Sequence, residues 1–316
     1  MRNLIYRVIR KTKREGFRFL VEKNPWYENE FADCQRFWNG FHFGLRVVNL
    51  GSQSAFYGFD YTGLPLEAAN WAIRPQSFPQ DLAILKTYYS FLGPKAIVII
   101  ALCPYSSCFK SYKDISLEKY YTILHPGVIE GFSLEKQMEI YGKKEKPYRH
   151  YKKELLMGCL KGVKRLLSGR KNPETYTSQP MDAKRLEEDA TRFINGWKKQ
   201  FNIDDMDAPL PAHILEGRRK RIETLREMLD FCRERELTPV IVLPPMTRHL
   251  SEKMSKTFRR NYVYTFLEEA GTKDVRFLDY MDDPNFTDED FFNSFFLNRN
   301  GAKKFTRIVL TDLGLL

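Results

Sequence analysis

The residues whose types and spacing could carry out chemistry lie in two segments, near opposite ends of the chain. The first segment, Gly51-Ser52-Gln53-Ser54, directly follows an apolar run that is typical of a β-strand. In an open α/β sheet, ligands bind at the carboxyl ends of the strands, where the following helices present free amide groups. A Gly-Ser-x-Ser turn at such an edge could hold an anion or position a nucleophile, or its serines could cap the next helix.

The second segment precedes the last helix and runs from Asp290 to Thr306. It is rich in phenylalanine and asparagine, and it enters the helix near Gly301. A polar loop before a helix is common and by itself indicates no function. The segment becomes informative only in combination with the first one.

The elements that must position both segments are short apolar strands separated by helical sequence. Three of the strands are continuous runs of β-branched residues or leucine, which is typical of strands buried on both faces of a parallel sheet. Alternation of strands and helices indicates right-handed crossovers. We therefore predict an α/β fold, a three-layer α/β/α flavodoxin-like parallel sheet of about five strands. The predicted strands are 45–50, 96–102, 239–243 and 275–279, and the predicted helices are 80–92, 216–236, 252–270 and 302–313.

One interval interrupts the alternation of strands and helices. Between about Lys110 and His213 no run is typical of a strand, and the sequence is helical, basic and rich in tyrosine. Because a crossover needs only about 12 residues, this length indicates a large helical insertion, which we expect to cover the carboxyl end of the sheet. The predicted organisation is a basic N-terminal arm (1–43), a split α/β core (44–109 and 214–316) and the helical insertion (110–213).

Taken in order with the predicted strands, the two segments resemble the SGNH (GDSL-like) hydrolase superfamily. The branch is the one related to cell-envelope acyl-transfer proteins, such as those of alginate acetylation and teichoic acid D-alanylation. There the first strand runs into Gly-Ser-Ser-His/Gly and then Gly-x-Asp, and the chain ends with Phe-x-Asp-x-x-His-Leu-Asn-x-x-Gly-Ala-x-x-Phe-Thr. The matching sequences here are Val47–Asp60 and Phe291–Thr306, with Asn70 in an asparagine-containing segment and Val242–Pro245 as a late Val-Leu-Pro-Pro element.

The departures from the family pattern fall on its catalytic triad. The serine nucleophile corresponds to Gln53, whose amide is not a viable acyl acceptor. The histidine general base corresponds to Phe296, and the aspartate that orients the histidine corresponds to Asn293. Losing such a unit typically costs on the order of 10⁶ in turnover. The resemblance therefore implies a pseudoenzyme of the esterase class with a degenerate triad on a retained scaffold.

A displaced catalytic set is the alternative to a degenerate site. Ser54 directly follows Gln53, and His249 lies just past a predicted strand end, from which it could approach the same crevice. The pair could then serve a carbohydrate esterase or O-acyltransferase as nucleophile and base. The resemblance further implies ligand binding at Gly51, Ser52, Asn70 and Asn298.

We predict neither a cofactor nor a metal site. Six acidic residues cluster between Asp279 and Asp290, but they lack histidine neighbours and the spacing of a calcium loop, which favours a solvated acidic loop. The five cysteines are scattered and lack CxxC spacing. They favour free thiols in a reducing compartment over a disulfide frame or a zinc site.

The positive charge of the chain is regional. The 316 residues carry a net charge of +11, while residues 1–23 hold eight Lys or Arg against two Glu and residues 143–171 hold eleven against two. In the first stretch, apolar residues recur at the spacing of an interfacial helix or of a docked terminal helix. These residues are Leu4, Ile5, Val8 and Ile9. In the second stretch, apolar residues recur at helical spacing and predict a helix whose lysines face water while its apolar stripe packs inward. The stripe consists of Leu155, Leu156, Leu160, Val163, Leu166 and Leu167.

These patterns also restrict the location and the partners. No run approaches the ~18 apolar residues that a membrane span requires, and the basic N-terminus has no secretory signal pattern. We expect a cytoplasmic protein, with peripheral contact with an anionic membrane surface as an alternative. Nucleic acid is disfavoured because no recognition motif accompanies the charge. The resemblance implies a bacterial, non-catalytic accessory component of surface polysaccharide or teichoic acid assembly that binds a small molecule or a glycan. The positive charge of the chain would favour an anionic ligand.

Overall fold

The computed structural model describes residues 6–12, 15–16, 24, 34, 36–108, 118–129, 131–145, 147–168 and 180–316. The chain divides into two compact units. The first, which we call the basic unit, comprises Met1–Asn39 and Lys113–Asn172. The second, which we call the sheet unit, comprises Gly40–Tyr112 and Pro173–Leu316.

The described residues contain a five-stranded sheet in which every strand pair is parallel. The strand order is β2-β1-β3-β4-β5, which is the order of flavodoxin-like folds. Helices flank this sheet, so the predicted α/β fold class is confirmed. The strands are β1 Leu45–Leu50, β2 Ala68–Asn70, β3 Leu92–Ala101, β4 Thr238–Leu243 and β5 Arg276–Asp279.

The helices lie between and after these strands, and those of the predicted insertion form without an intervening strand in the described residues. Helices α3 to α6 belong to the basic unit, and the others, including α7 of the predicted insertion, belong to the sheet unit. Residues 6–12 and 36–39 are also helical. In chain order the helices are α1 Gln53–Gly58, α2 Phe78–Tyr88, α3 Tyr120–Ile123, α4 Leu134–Glu145, α5 Pro147–His150, α6 Lys152–Ser168, α7 Ala183–Phe201, α8 Ala212–Arg233, α9 Arg248–Ser251, α10 Lys256–Arg259, α11 Thr265–Glu269 and α12 Arg299–Asp312.

The bounds of most elements shift by one to four residues from the sequence predictions, and three differences go beyond such shifts. Strand β2 was not predicted, because its three residues are too short to show a hydrophobic period. The predicted helix 80–92 ends earlier, at Tyr88, and the Gly93-Pro94 pair that follows its predicted end lies inside β3, at an irregularity of the β1–β3 register where a sheet tolerates proline. The predicted helix 252–270 is interrupted, because Ser255 caps a new helix through its hydroxyl oxygen, and a π-helix follows at Arg260–Tyr264.

The last helix is tied to the first strand–helix connection of the sheet unit. Helix α12 packs against α1, and the rings of Phe59 and Phe305 lie 5.1 Å apart between centroids. The backbone N–H of Asp60 donates to Oγ1 of Thr306 at 2.9 Å. These contacts bring the two ends of the sheet unit together at one place in the fold.

In the basic unit, Lys152, Lys153, Lys161 and Lys164 are exposed as predicted, but the apolar stripe of 155–167 does not pack inward. Leu155 is half-buried, whereas the other stripe residues are exposed: Leu156, Leu160, Val163, Leu166 and Leu167. Val8 and Ile9 of the N-terminal stretch are also exposed, and Leu4 and Ile5 lie outside the described residues. Within the part of the chain that the structure describes, no helix has both the length and the apolar composition needed to cross a bilayer.

Candidate functional site

The turn after β1 requires glycine at position 51. Gly51 has a φ of +127°, and a Cβ atom there would lie 2.8 Å from the carbonyl oxygen of Ala101. Residues that carry a side chain rarely adopt this backbone conformation, and the close approach of the β3 backbone leaves no room for a Cβ atom. The Gly51 N–H donates to Oδ1 of Asp81 at 2.8 Å. Asp81 belongs to α2, so this hydrogen bond links the turn to that helix.

The two serines of the turn are both engaged within the fold. Ser52 occupies the N-cap position of α1 without capping it, and its Oγ accepts from the N–H of Gln76 at 3.1 Å. Ser54 is buried, and its Oγ donates to the carbonyl oxygen of Leu102 at 3.4 Å. Gln53, between them, is exposed as the first residue of α1. The capping role that the sequence offered for either serine is therefore not what the side chains do.

A buried carboxyl group that the sequence analysis did not identify accepts a hydrogen bond from the turn. Asp81 is only 2% exposed, and its Oδ1 accepts from the N–H of Gly51 and from Nε2 of Gln76. Burial raises the pKa of Asp81 to about 7, although the hydrogen bonds from Gln76 and Gly51 and the positive charge of Arg221 act in the opposite direction. The available signal was an acidic residue directly before the apolar run Leu82–Leu85 of α2.

Asn70, at the end of β2, uses its amide to hold α1. Its Nδ2 donates to three backbone carbonyl groups of residues 55–59 at 2.9 to 3.3 Å. Its Oδ1 accepts from Nδ2 of Asn49 at 2.9 Å and from the N–H of Ala72 at 3.0 Å. The side chain thus joins two strand ends to the end of the helix that begins at Gln53.

The second segment forms a tight turn before α12. Phe291 and Leu297 form an antiparallel bridge that closes the turn. Oδ1 of Asn293 accepts from the N–H groups of Phe295 and Phe296, at 2.9 and 2.7 Å. The Asn293 amide oxygen is therefore used to shape the backbone of the turn.

Two other elements hold this turn through Ser294. The Ser294 N–H and Oγ both donate to Oδ2 of Asp189 in α7, at 3.0 and 2.9 Å. Thr247, in the loop after β4, donates from its N–H and its Oγ1 to the Ser294 carbonyl oxygen, at 3.1 and 2.9 Å. Sequence reasoning missed this anchor, because Asp189 lies 105 residues away in the predicted insertion.

Phe296 is 7% exposed and packs in an aromatic cluster. Its ring centroid lies 4.6 Å from that of Phe295 and 5.9 Å from that of Phe193 in α7. It also lies 5.2 Å from the ring of Tyr57, which is one turn after Gln53 in α1. The structure therefore brings the Phe296 ring against the helix that begins at Gln53, while the side chain of Asn293 faces its own turn.

Asn298 serves as the N-cap of α12. Its Oδ1 accepts from the N–H groups of Asn300 and Gly301, both at 3.0 Å, and its Nδ2 donates to the Glu289 carbonyl oxygen at 2.6 Å. At Gly301 a Cβ atom would lie 2.1 Å from the carbonyl oxygen of Asp290. The asparagine and the glycine of the closing motif thus have packing and capping functions in this fold.

His249 is held by two carboxylates. Its Nδ1 lies 3.1 Å from Oε2 of Glu187 in α7, and its Nε2 lies 3.1 Å from Oδ2 of Asp288. Partial burial by itself would lower the pKa of His249, but the hydrogen bonds to Glu187 and Asp288 outweigh it and raise the pKa above its ordinary value. Among the hydrogen bonds of the described residues, none joins His249 to Ser54, whose hydroxyl group bonds Leu102 instead.

The acidic loop after β5 is paired with cations and hydroxyl groups. Asp282 bonds the guanidinium of Arg259, Asp290 bonds Nζ of Lys304 at 2.8 Å, and Asp279 accepts from the hydroxyl of Tyr264 at 2.8 Å. A shallow depression of about 650 Å³ lies beside this loop. In the described residues no group of three or more His, Cys, Asp or Glu side chains is arranged to hold a metal ion.

These observations define the class of the protein as a flavodoxin-like α/β fold whose two motif segments meet beside α1. No family model matches the chain, and no curated protein matches its sequence. The resemblance to SGNH hydrolases remains a prediction from the two motifs.

Proposed function

We propose that the protein is a degenerate SGNH-hydrolase-like protein that binds a small-molecule or glycan ligand without turning it over. Its role would be that of an accessory component in surface polysaccharide or teichoic acid assembly. The observation that carries this proposal is the packing of Phe296. An apolar ring, buried against Tyr57, occupies the position that the resemblance assigns to the general base.

The hydrogen bonds of the remaining candidates support binding without catalysis. A general base must lie about 2.6–3.2 Å from the proton that it abstracts, directly or through one water. The amide oxygen of Asn293 accepts from two backbone N–H groups of its own turn. The hydroxyl of Ser54 donates to a backbone carbonyl, and both ring nitrogens of His249 contact carboxylates. The alternative of a displaced esterase set therefore has less support than a binding role.

The side chains around α1 suit an anionic glycan. Gln53 offers an exposed amide, and Arg74, which is half-exposed, stacks its guanidinium 4.1 Å from the ring centroid of Phe56. Arg74 also donates to the hydroxyl of Tyr57. Phe56 and Tyr57 are themselves buried, so the guanidinium of Arg74 is the group that would meet a ligand, and a stacked guanidinium is well suited to bind carboxylate or phosphate groups.

The binding role can be tested with purified polymers. We expect the wild-type protein to bind teichoic acid or alginate more tightly than neutral dextran in an isothermal titration. Arg74→Ala should weaken this binding roughly 10- to 100-fold, because one hydrogen-bonded charge contributes about 1.5–3 kcal/mol. The matched control is Arg233→Ala, which removes an exposed arginine of α8 paired with Asp230. Equal affinity for all three polymers, or equal effects of the two substitutions, would contradict the proposal.

A further inference from the structure

The basic unit carries an apolar helix face whose side chains are exposed. Four residues of α6 recur at the spacing of one helix face, and each is more than half exposed: Leu156 (61%), Leu160 (55%), Val163 (53%) and Leu167 (85%). Exposed apolar residues that occur singly are ordinary, whereas a continuous stripe marks an interaction surface. We call these four residues the α6 stripe.

The opposite face of α6 shows that the helix is docked in its unit. Gly158 is buried, and a Cβ atom there would lie 2.1 Å from Oδ1 of Asn24. Nδ2 of Asn24 also donates to the carbonyl oxygen of Leu155 at 2.8 Å. In a helix of 3.6 residues per turn, Gly158 points about 180° away from the α6 stripe. The contact with Asn24 therefore directs the stripe outward.

A second helix of the same unit has the same character. Leu134, Met138 and Tyr141 recur at helical spacing in α4 and are 66%, 62% and 47% exposed. Ile140, on the other side of α4, is 1% exposed. Helices α4 and α6 thus each bury one face and leave an apolar face in contact with solvent.

The charge of α6 indicates what covers the stripe. The helix contains five Lys or Arg and one Glu. Lys153, Lys161 and Lys164 are exposed. A second copy of this chain would bring two equally positive helices together and repel, whereas an anionic bilayer supplies both an apolar layer and complementary charge.

We propose that α6 is a membrane-surface helix that lies in the headgroup region of an anionic bilayer with its stripe among the acyl chains. The exposed lysines beside the stripe would contact the lipid phosphates and carboxylates. This proposal involves no residue of the sheet unit. It can therefore fail or succeed independently of the proposed glycan binding.

The proposal is tested by co-sedimentation of the full chain with vesicles. The vesicles consist of phosphatidylcholine alone or of phosphatidylcholine mixed with phosphatidylserine. We expect binding to the mixed vesicles that weakens as salt is added. The double variant Leu160→Ser/Leu167→Ser should lower the partition coefficient on the order of 100-fold. The triple variant Lys153→Gln/Lys161→Gln/Lys164→Gln should lower it roughly 100-fold at low salt.

The matched control is Leu215→Ser, which changes an exposed leucine of α8 in the sheet unit and should leave vesicle binding unchanged. Because all substituted side chains are exposed, circular dichroism should show an unchanged helix content. Equal binding to both kinds of vesicle, or no effect of the two leucine changes, would overturn the proposal. So would an absence of vesicle binding together with a dimer that the leucine changes dissociate, because a second copy would then cover the stripe.

Discussion

Replacement of Gly51 with alanine is expected to lower the free energy of unfolding by at least about 3 kcal/mol. Two effects add at this position. The φ of +127° lies in a region that side-chain-bearing residues rarely adopt, and the new Cβ atom would meet the backbone oxygen of Ala101 at 2.8 Å. The β3 backbone cannot move aside without breaking its pairing with β1 and β4. Urea unfolding followed by circular dichroism measures the loss.

Gly63→Ala is the matched control for this prediction. Gly63 also has a positive φ, of +79°, but nothing lies within 4 Å of its hypothetical Cβ atom. This variant carries backbone strain without a clash and should cost only about 1–2 kcal/mol. If the two variants lost the same stability, the close approach of β3 to the turn would not be what fixes the turn after β1.

Substitution of Asp81 should reveal the buried carboxyl group through the pH dependence of stability. The pKa of Asp81 is raised by burial from 3.8 to about 7, so the folded state binds this proton more tightly than the unfolded state. The contribution of Asp81 to the free energy of unfolding therefore falls as the pH rises from about 4 to about 7. Above that range this contribution is constant. The shift corresponds to roughly 4 kcal/mol between the two protonation states.

Asp81→Asn removes this titration but keeps an oxygen for Gly51 and Gln76. We expect the free energy of unfolding of this variant not to fall between about pH 4 and 7. At pH 8 it should exceed the wild-type value by on the order of 2 kcal/mol. The gain is smaller than the full shift of about 4 kcal/mol because the charge-assisted hydrogen bonds to the carboxylate are replaced by weaker ones to an amide. Asp81→Ala leaves two buried donors without an acceptor and should cost about 3 kcal/mol even at pH 5. Thermal unfolding across this pH range, with the exposed Asp204→Asn as control, measures both effects. An Asn variant with the wild-type slope would refute the assignment.

The sequence was sufficient to predict the sheet but not every boundary. Strands β1, β3, β4 and β5 were predicted from runs of β-branched and leucine residues, which need burial on both faces. The same reasoning cannot detect the three residues of β2, which pair with β1 and are tied to β1 and α1 by the hydrogen bonds of the Asn70 side chain. It also cannot detect that a serine side chain, at position 255, caps a new helix within a continuous amphipathic pattern.

The candidate site was predictable as two segments and not as a set of contacts. Gly51 and Phe296 were identified from the motifs, and the fold brings their segments together beside α1. The bonds that fix them join residues 30 positions apart, for Gly51 and Asp81, and 105 positions apart, for Asp189 and Ser294. A single sequence carries no information on such pairings. Likewise, the periodicity of α6 predicts an apolar face but not the medium that the face meets.

The central claim, that the protein binds without catalysis, is tested most directly by hydrolysis of p-nitrophenyl acetate. Wild-type protein and Ser54→Ala are assayed side by side, together with labelling by a fluorophosphonate probe. We predict that both proteins hydrolyse the ester no faster than buffer and that neither is labelled, because Ser54 is buried on Leu102 and Phe296 offers no base. Wild-type hydrolysis and labelling that Ser54→Ala abolishes would contradict the claim and establish a displaced catalytic serine.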